Sequence, residues 1–184
     1  PPEKGRYETW KAAILAELRR VAFRYFPDRI PSAKLLEKIG PDDLRLESEP
    51  GIEVRLERAG EFDSVKDTKR ILIVVRNQDS NESISNRLRG VYEPGDHVYL
   101  CAPRGVDRTR WTRKNPPNYV ERSHVLLGLT VDAGRVWDII STARYLKDKY
   151  NGNIPVVVFG EGAAGVLAAY AALWEPEIAG VILN

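Results

Sequence analysis

Between residues 7 and 26 the apolar side chains Trp10, Ile14, Leu15, Leu18, Val21, Ala22 and Tyr25 recur at three- and four-residue intervals. That spacing predicts an amphipathic helix, ended by Pro27 and read as a packing extension. A second, shorter helix is expected from Ser32, a good N-cap, to Ile39, before the Gly40-Pro41 break. The period then changes to two. LRLESE and IEVRLER alternate apolar and polar residues around Pro50-Gly51, which predicts an antiparallel hairpin with one wet face at a sheet edge.

RILIVVRN, residues 70–77, and HVYLCAP, residues 97–103, are continuously apolar, as in strands covered on both faces. From 130 to 150 the stripe Val131, Val136, Trp137, Ile140, Ala143, Tyr145 and Leu146 predicts a helix stopped by Asn151-Gly152. A strand at 154–159, a glycine-rich turn, a helix at 163–174 and a last strand IAGVIL follow. This alternation argues for an α/β sheet whose later strands are parallel. The division it suggests is a helical extension over 1–42 and a sheet domain over 43–184. Because the sequence stops just after a strand whose backbone needs a neighbour, more sheet or an associating chain is expected beyond Asn184.

Composition narrows the classes. With 184 residues and 43% hydrophobic content the chain can bury a sizeable core. Its 28 basic and 26 acidic residues are scattered and leave a formal charge of +2, which gives no electrostatic argument for nucleic acid or an anionic membrane as partner. No apolar run approaches the roughly 20 residues that cross a bilayer. The single Cys101 excludes an internal disulfide and a multi-cysteine metal site, and no metal or other cofactor is expected. The sequence begins Pro1-Pro2 and contains no Met, so a processed or excised segment is expected, with any targeting signal out of view.

The candidate chemistry lies in VVVFGEGAAGVLAAY, residues 156–170, and can be read in two ways. Gly160, Gly162 and Gly165 fill a GxGxxG pattern between a strand and a helix, where backbone N–H groups would face a pyrophosphate of NAD or FAD. Against this, Glu161 would set a carboxylate beside that pyrophosphate, and Asn184 stands where an acidic ribose ligand belongs. Alternatively, Gly160-Glu161-Gly162-Ala163-Ala164 aligns with the small-x-nucleophile-x-small pattern of a nucleophile elbow, with Gly162 in the nucleophile's place. Glycine adopts the positive φ of such a turn without penalty but brings no hydroxyl or thiol. Glu161 is a candidate replacement nucleophile; its bland alternative is an acid at a helix N-terminus, favourable by about 0.3 to 1 kcal/mol.

VYLCAPRGVDRTRW, RSHVLLGLTVDAGRVWDIISTARYL and VVVFGEGAAGVLAAYAALWEPEIAGVIL, in that order, resemble α/β-hydrolase-fold proteins usually described as acetyl xylan esterases. The similarity covers about residues 45–184. In such proteins an RG dipeptide follows the fourth strand and a VWD-like patch precedes the fifth, here Arg104-Gly105 and Val136-Trp137-Asp138, and the elbow comes next. The resemblance implies a truncated α/β-hydrolase, a mostly parallel central sheet flanked by helices, with residues 70–77 as the third strand. The following NQDSNE loop would supply an oxyanion-hole residue. It also implies a carbohydrate or small ester ligand and a secreted or periplasmic location. This sequence departs from the pattern of active enzymes. The His-Gly type loop is absent, the serine is replaced by Gly162, and the catalytic Asp and His, which follow the nucleophile in this fold, would lie beyond Asn184. The segment alone is therefore expected to be inactive, a scaffold without its nucleophile. A dinucleotide-binding domain or a non-catalytic binding module stays open as an alternative.

Both histidines precede the elbow. His97, at the start of a strand, is read as structural, and His124 is a candidate on a loop over the carboxyl edge of the sheet. Ala163, just past the elbow tip, is a substrate-binding candidate. So are Arg104, Arg110 and Trp111 of RGVDRTRWTRK, since arginine forks grip anions and tryptophan offers an apolar face to a sugar ring. Arg108 and Arg113 share that loop. Asp138 is expected to pair with a neighbouring arginine, and Cys101 to serve as a small buried hydrophobe.

Overall fold

The structure is a computed structural model that describes residues 2–60, 68–78, 84–111 and 119–184. Its elements in chain order are α1 (Tyr7–Val21), β1 (Lys34–Lys38), β2 (Asp43–Glu49), β3 (Ile52–Arg58), β4 (Arg70–Val75), α2 (Ile84–Arg87), β5 (Asp96–Ala102), α3 (Tyr119–Leu126), α4 (Val131–Lys149), β6 (Val156–Gly160), α5 (Ala163–Trp174) and β7 (Ile178–Leu183). Among the described residues the seven strands form one sheet in the order β1-β2-β3-β5-β4-β6-β7.

The expected hairpin is β2 and β3, paired from Asp43↔Glu57 to Glu49↔Ile52. β3 joins β5 antiparallel, and from β5 onward every pairing is parallel, as the strand and helix alternation requires. β4 is central, buried along Ile71 to Val75. Its odd residues Ile71, Ile73 and Val75 pack under α4 and α5, while Leu72 and Val74 meet Leu88, Val98, Leu100 and Phe159 on the other face.

Two expectations about the N-terminal part are corrected. The helix assigned to residues 32–39 is the strand β1, because Lys34 and Leu35 pair with Glu47 and Leu46 of β2 and this tertiary ladder overrides a local helical pattern. The hairpin consequently lies one strand in from the edge, with β1 as the edge strand. The first helix also ends five residues early, at Val21, with Ala22 as its C-cap. The chain then turns inward, and Phe23, Phe26 and Ile30 enter the core shared by α4 and α5. Phe23 touches Phe26, Tyr170 and Trp174, with ring centroids 4.9, 5.3 and 5.3 Å away.

α4 starts on Thr130, whose hydroxyl accepts from the Ala133 N–H at 3.0 Å, a standard N-cap. The pairing expected of Asp138 is present at full burial. Its two oxygens accept from Arg104 Nη2 at 2.7 Å, Arg104 Nε at 2.9 Å and the Arg104 backbone N–H at 2.8 Å. Ser48 Oγ donates to it at 2.5 Å, and Arg104 also pairs with Glu49. This cluster ties β2, the end of β5 and α4 together beneath the carboxyl edge of the sheet.

Candidate functional site

The turn between β6 and α5 is built by close approach. A Cβ added at Gly160 would lie 2.4 Å from the Ala164 carbonyl oxygen, and one at Gly165 would lie 3.0 Å from the Gly160 oxygen. Strand and helix could not meet this tightly with larger residues at either point. Gly162, the N-cap of α5, has φ 54° and ψ −124°, and a Cβ there would meet nothing within 4 Å. Positive φ at the tip of a sharp strand-to-helix turn, with open space in front, is the backbone geometry of a nucleophile elbow.

Two neighbours hold the turn. Asn77, just past β4, donates from Nδ2 to the Glu161 carbonyl at 2.9 Å and accepts at Oδ1 from the Ala164 N–H at 3.0 Å. It thus straddles the tip from both sides. On the β7 side the Asn184 N–H donates to the Gly160 carbonyl and the Asn184 carbonyl accepts from the Gly162 N–H, each at 3.2 Å. The Ala163 N–H has no hydrogen-bond partner among the described residues. In an elbow this is the N–H that faces a developing oxyanion.

The carboxylate of Glu161 is engaged elsewhere. It accepts from Arg87 Nε at 2.6 Å and from Asn184 Nδ2 at 3.1 Å. Burial works against its ionisation, but the hydrogen bonds of Arg87 and Asn184 and the Arg87 charge outweigh that and hold the carboxyl below its ordinary range. Arg87 is itself buried and lies near the Phe159 ring, on the sheet face opposite α4 and α5.

In front of the turn lies a cavity of about 830 Å³ at the carboxyl ends of the strands. Arg76, Asn77 and Gln78 line it from the end of β4, Ala163 from the turn, and Thr130 and Arg135 from the start of α4. In open α/β sheets this edge is where ligands bind. Arg76 bonds Asp107 at 2.8 Å and Arg135 bonds Asp132 at 3.0 Å, so both guanidinium groups are fixed at its rim. Glu161 does not line this cavity.

The remaining candidates gather away from the elbow. Arg104 spends its fork on Asp138 and Glu49. Trp111, 38% exposed, covers Gly105, and its ring is tilted over His124 with centroids 6.3 Å apart. His124 lies on α3, where its Nδ1–H donates to the Val120 carbonyl at 2.8 Å. With Trp111 it lines a separate cavity of about 280 Å³. Arg110 and Arg108 are exposed. Arg113 and most of the NQDSNE loop lie outside the described residues. His97 meets the Tyr150 hydroxyl at 2.9 Å at the opposite end of the sheet, and Cys101 is buried, its thiol pushed up to about 12 by burial. Among the described residues no cluster of His, Cys, Asp or Glu could hold a metal ion, and no helix is long and apolar enough to cross a membrane.

Asn77 opens the NQDSNE loop that the sequence singled out, but its two bonds to the turn were not foreseen. Arg87 and Phe23 left no signal, because each reaches the turn or the cavity only through the fold.

The sequence matches no family model and none of the curated proteins. Solved structures do match. Acetyl xylan esterase 1 from Thermoanaerobacterium sp. superposes with a TM-score of 0.54 at 17% identity over 96% of this chain and 57% of that one. A provisional acetyl xylan esterase of Bacteroides fragilis gives 0.58 at 14% identity, covering 95% and 52%. A cold-adapted esterase from an Arctic intertidal metagenomic library gives 0.52 at 11% identity, covering 83% and 64%. The chain spans little more than half the length of the first two. At these identities the likeness is one of architecture, and the chain has the α/β-hydrolase fold.

Proposed function

We propose that this chain belongs to an ester hydrolase domain of the acetyl xylan esterase-like kind in which Gly162 stands where the nucleophile would. It binds a carbohydrate ester or small carboxylic ester without cleaving it by itself. The observation that carries this reading is the tip of the turn. Gly162 keeps φ 54° and ψ −124° with open space for a side chain, beside a cavity and an Ala163 N–H that has no partner among the described residues. The missing parts of the reaction are a hydroxyl at position 162 and an acid and histidine, which follow the elbow in this chain order. A further segment of the same domain, or an associating chain, supplies the acid and histidine if the complete protein is active, and the attacking group then comes from a residue other than Gly162.

The test is hydrolysis of a simple acetyl ester by the chain, by Gly162→Ser, and by Gly162→Ser in a chain continued past Asn184. Turnover by the last alone supports the elbow and the loss of its nucleophile. If the unaltered chain is active and Glu161→Gln abolishes that activity, the register is wrong and Glu161 carries the chemistry.

A further inference from the structure

The cavity beside the turn is asymmetric. Its polar lining holds Arg76, Thr130, Asp132 and Arg135, while another wall is an apolar stripe along α5. Ala163, Val166, Leu167 and Tyr170 follow one another at the i, i+3, i+4, i+7 spacing that puts them on one helix face. The stripe starts at Ala163, whose N–H has no partner among the described residues. Seven residues of helix at 1.5 Å each carry it roughly 10 Å away to Tyr170. There Phe23, entering from the segment after α1, lies tilted against Tyr170 with ring centroids 5.3 Å apart, and both line the cavity. Phe23 is buried and anchored against Phe26 and Trp174, so this end wall is firm. Val166, halfway along, is 56% exposed, a large apolar side chain left in contact with the cavity.

An acetyl group would occupy only the first part of such a stripe. We infer that the cavity takes a carboxylic acid or its ester with an unbranched apolar arm of medium length, laid along α5 from Ala163 and stopped by Phe23. The inference rests on the function proposed above only in placing the carboxyl head at Gly162 and Ala163. Arg76 and Arg135, each already held by an acid, Asp107 and Asp132, leave the rim polar without a net positive charge. The head is therefore held by hydrogen bonds from the rim and the Ala163 N–H, and the apolar wall suits the arm. Phe23 is then the residue that sets the permitted length.

Calorimetric titration of the chain with acetate, butyrate, hexanoate and octanoate tests this without requiring turnover. Affinity is expected to rise about fourfold per added methylene, the value of burying one CH₂, and to level off where the arm meets Phe23. Phe23→Leu, which keeps an apolar residue in the core, moves the plateau to longer acids. Val166→Glu, a substitution at an exposed position, weakens binding of the longer acids at least tenfold while circular dichroism stays unchanged. Acetate binding as tightly as octanoate, no measurable binding of any acid, or a length profile indifferent to Phe23→Leu overturns the inference. Length-dependent binding combined with failure of Gly162→Ser to gain activity in the extended chain would remove the elbow reading and leave this one standing.

Discussion

Glu161 shows how one side chain is assigned by its partners. Its position in the motif suggests chemistry, but Arg87 and Asn184 occupy its carboxylate. A carboxyl whose pKa is depressed by folding adds stability that is fully present above its unfolded value near 4.5 and is lost as pH falls through the folded value. Denaturation midpoints measured from about pH 7 down to about pH 3 should therefore drop on the acid side, and Glu161→Gln should remove part of that drop. An unchanged acid slope in Glu161→Gln would show that Arg87 and Asn184 do not favour the ionised form.

Among the elements, β6, the turn and α5 form the unit to which the proposed function is assigned. Its glycines are not equivalent. At Gly160 an added Cβ meets the Ala164 carbonyl at 2.4 Å, backbone against backbone, so Gly160→Ala should cost about 2 to 3 kcal/mol or more in chemical denaturation. At Gly162 the space is free and only the positive φ opposes a side chain, so Gly162→Ser should cost about 1 to 2 kcal/mol. A reversed order of these two losses would contradict the close approach of α5 to β6. Asn77 adds the β4 end to the same unit through its two bonds to Glu161 and Ala164.

Across the whole molecule, the carboxyl edge of the sheet is braced by one buried charge cluster. Asp138 is wholly buried and receives Arg104 and Ser48, and Arg104 reaches on to Glu49. Removing Asp138 leaves the buried Arg104 charge with only the partly exposed Glu49 to offset it, so Asp138→Ala should destabilise the protein by about 3 kcal/mol. Replacing Asp138 and Arg104 together by apolar residues should recover much of that loss, since no unpaired charge remains between them. Equal losses in the single and double variants would mean that packing, not charge, sets the cost.

The sequence by itself determined the elements whose signals are local. The buried runs of β4 and β5, the period-two hairpin, the stripe of α4 and the glycine turn into α5 each carry their own periodicity, and the parallel order follows from strand and helix alternation. The glycine-rich strand-to-helix turn was legible for the same reason, since glycine spacing reports local backbone geometry. Tertiary structure alone decided the rest. Residues 34–38 became a strand because β2 offered them a ladder, a contact that no local pattern encodes. Phe23, which lies outside the apolar stripe of the first helix, lines a cavity together with Ala163, 140 residues further along the chain. Arg87 and Asn77 met the turn from 74 and 84 or more positions away. Such partnerships arise from where the folded sheet sets its strand ends, and side-chain type along the chain does not record which distant residue will arrive there.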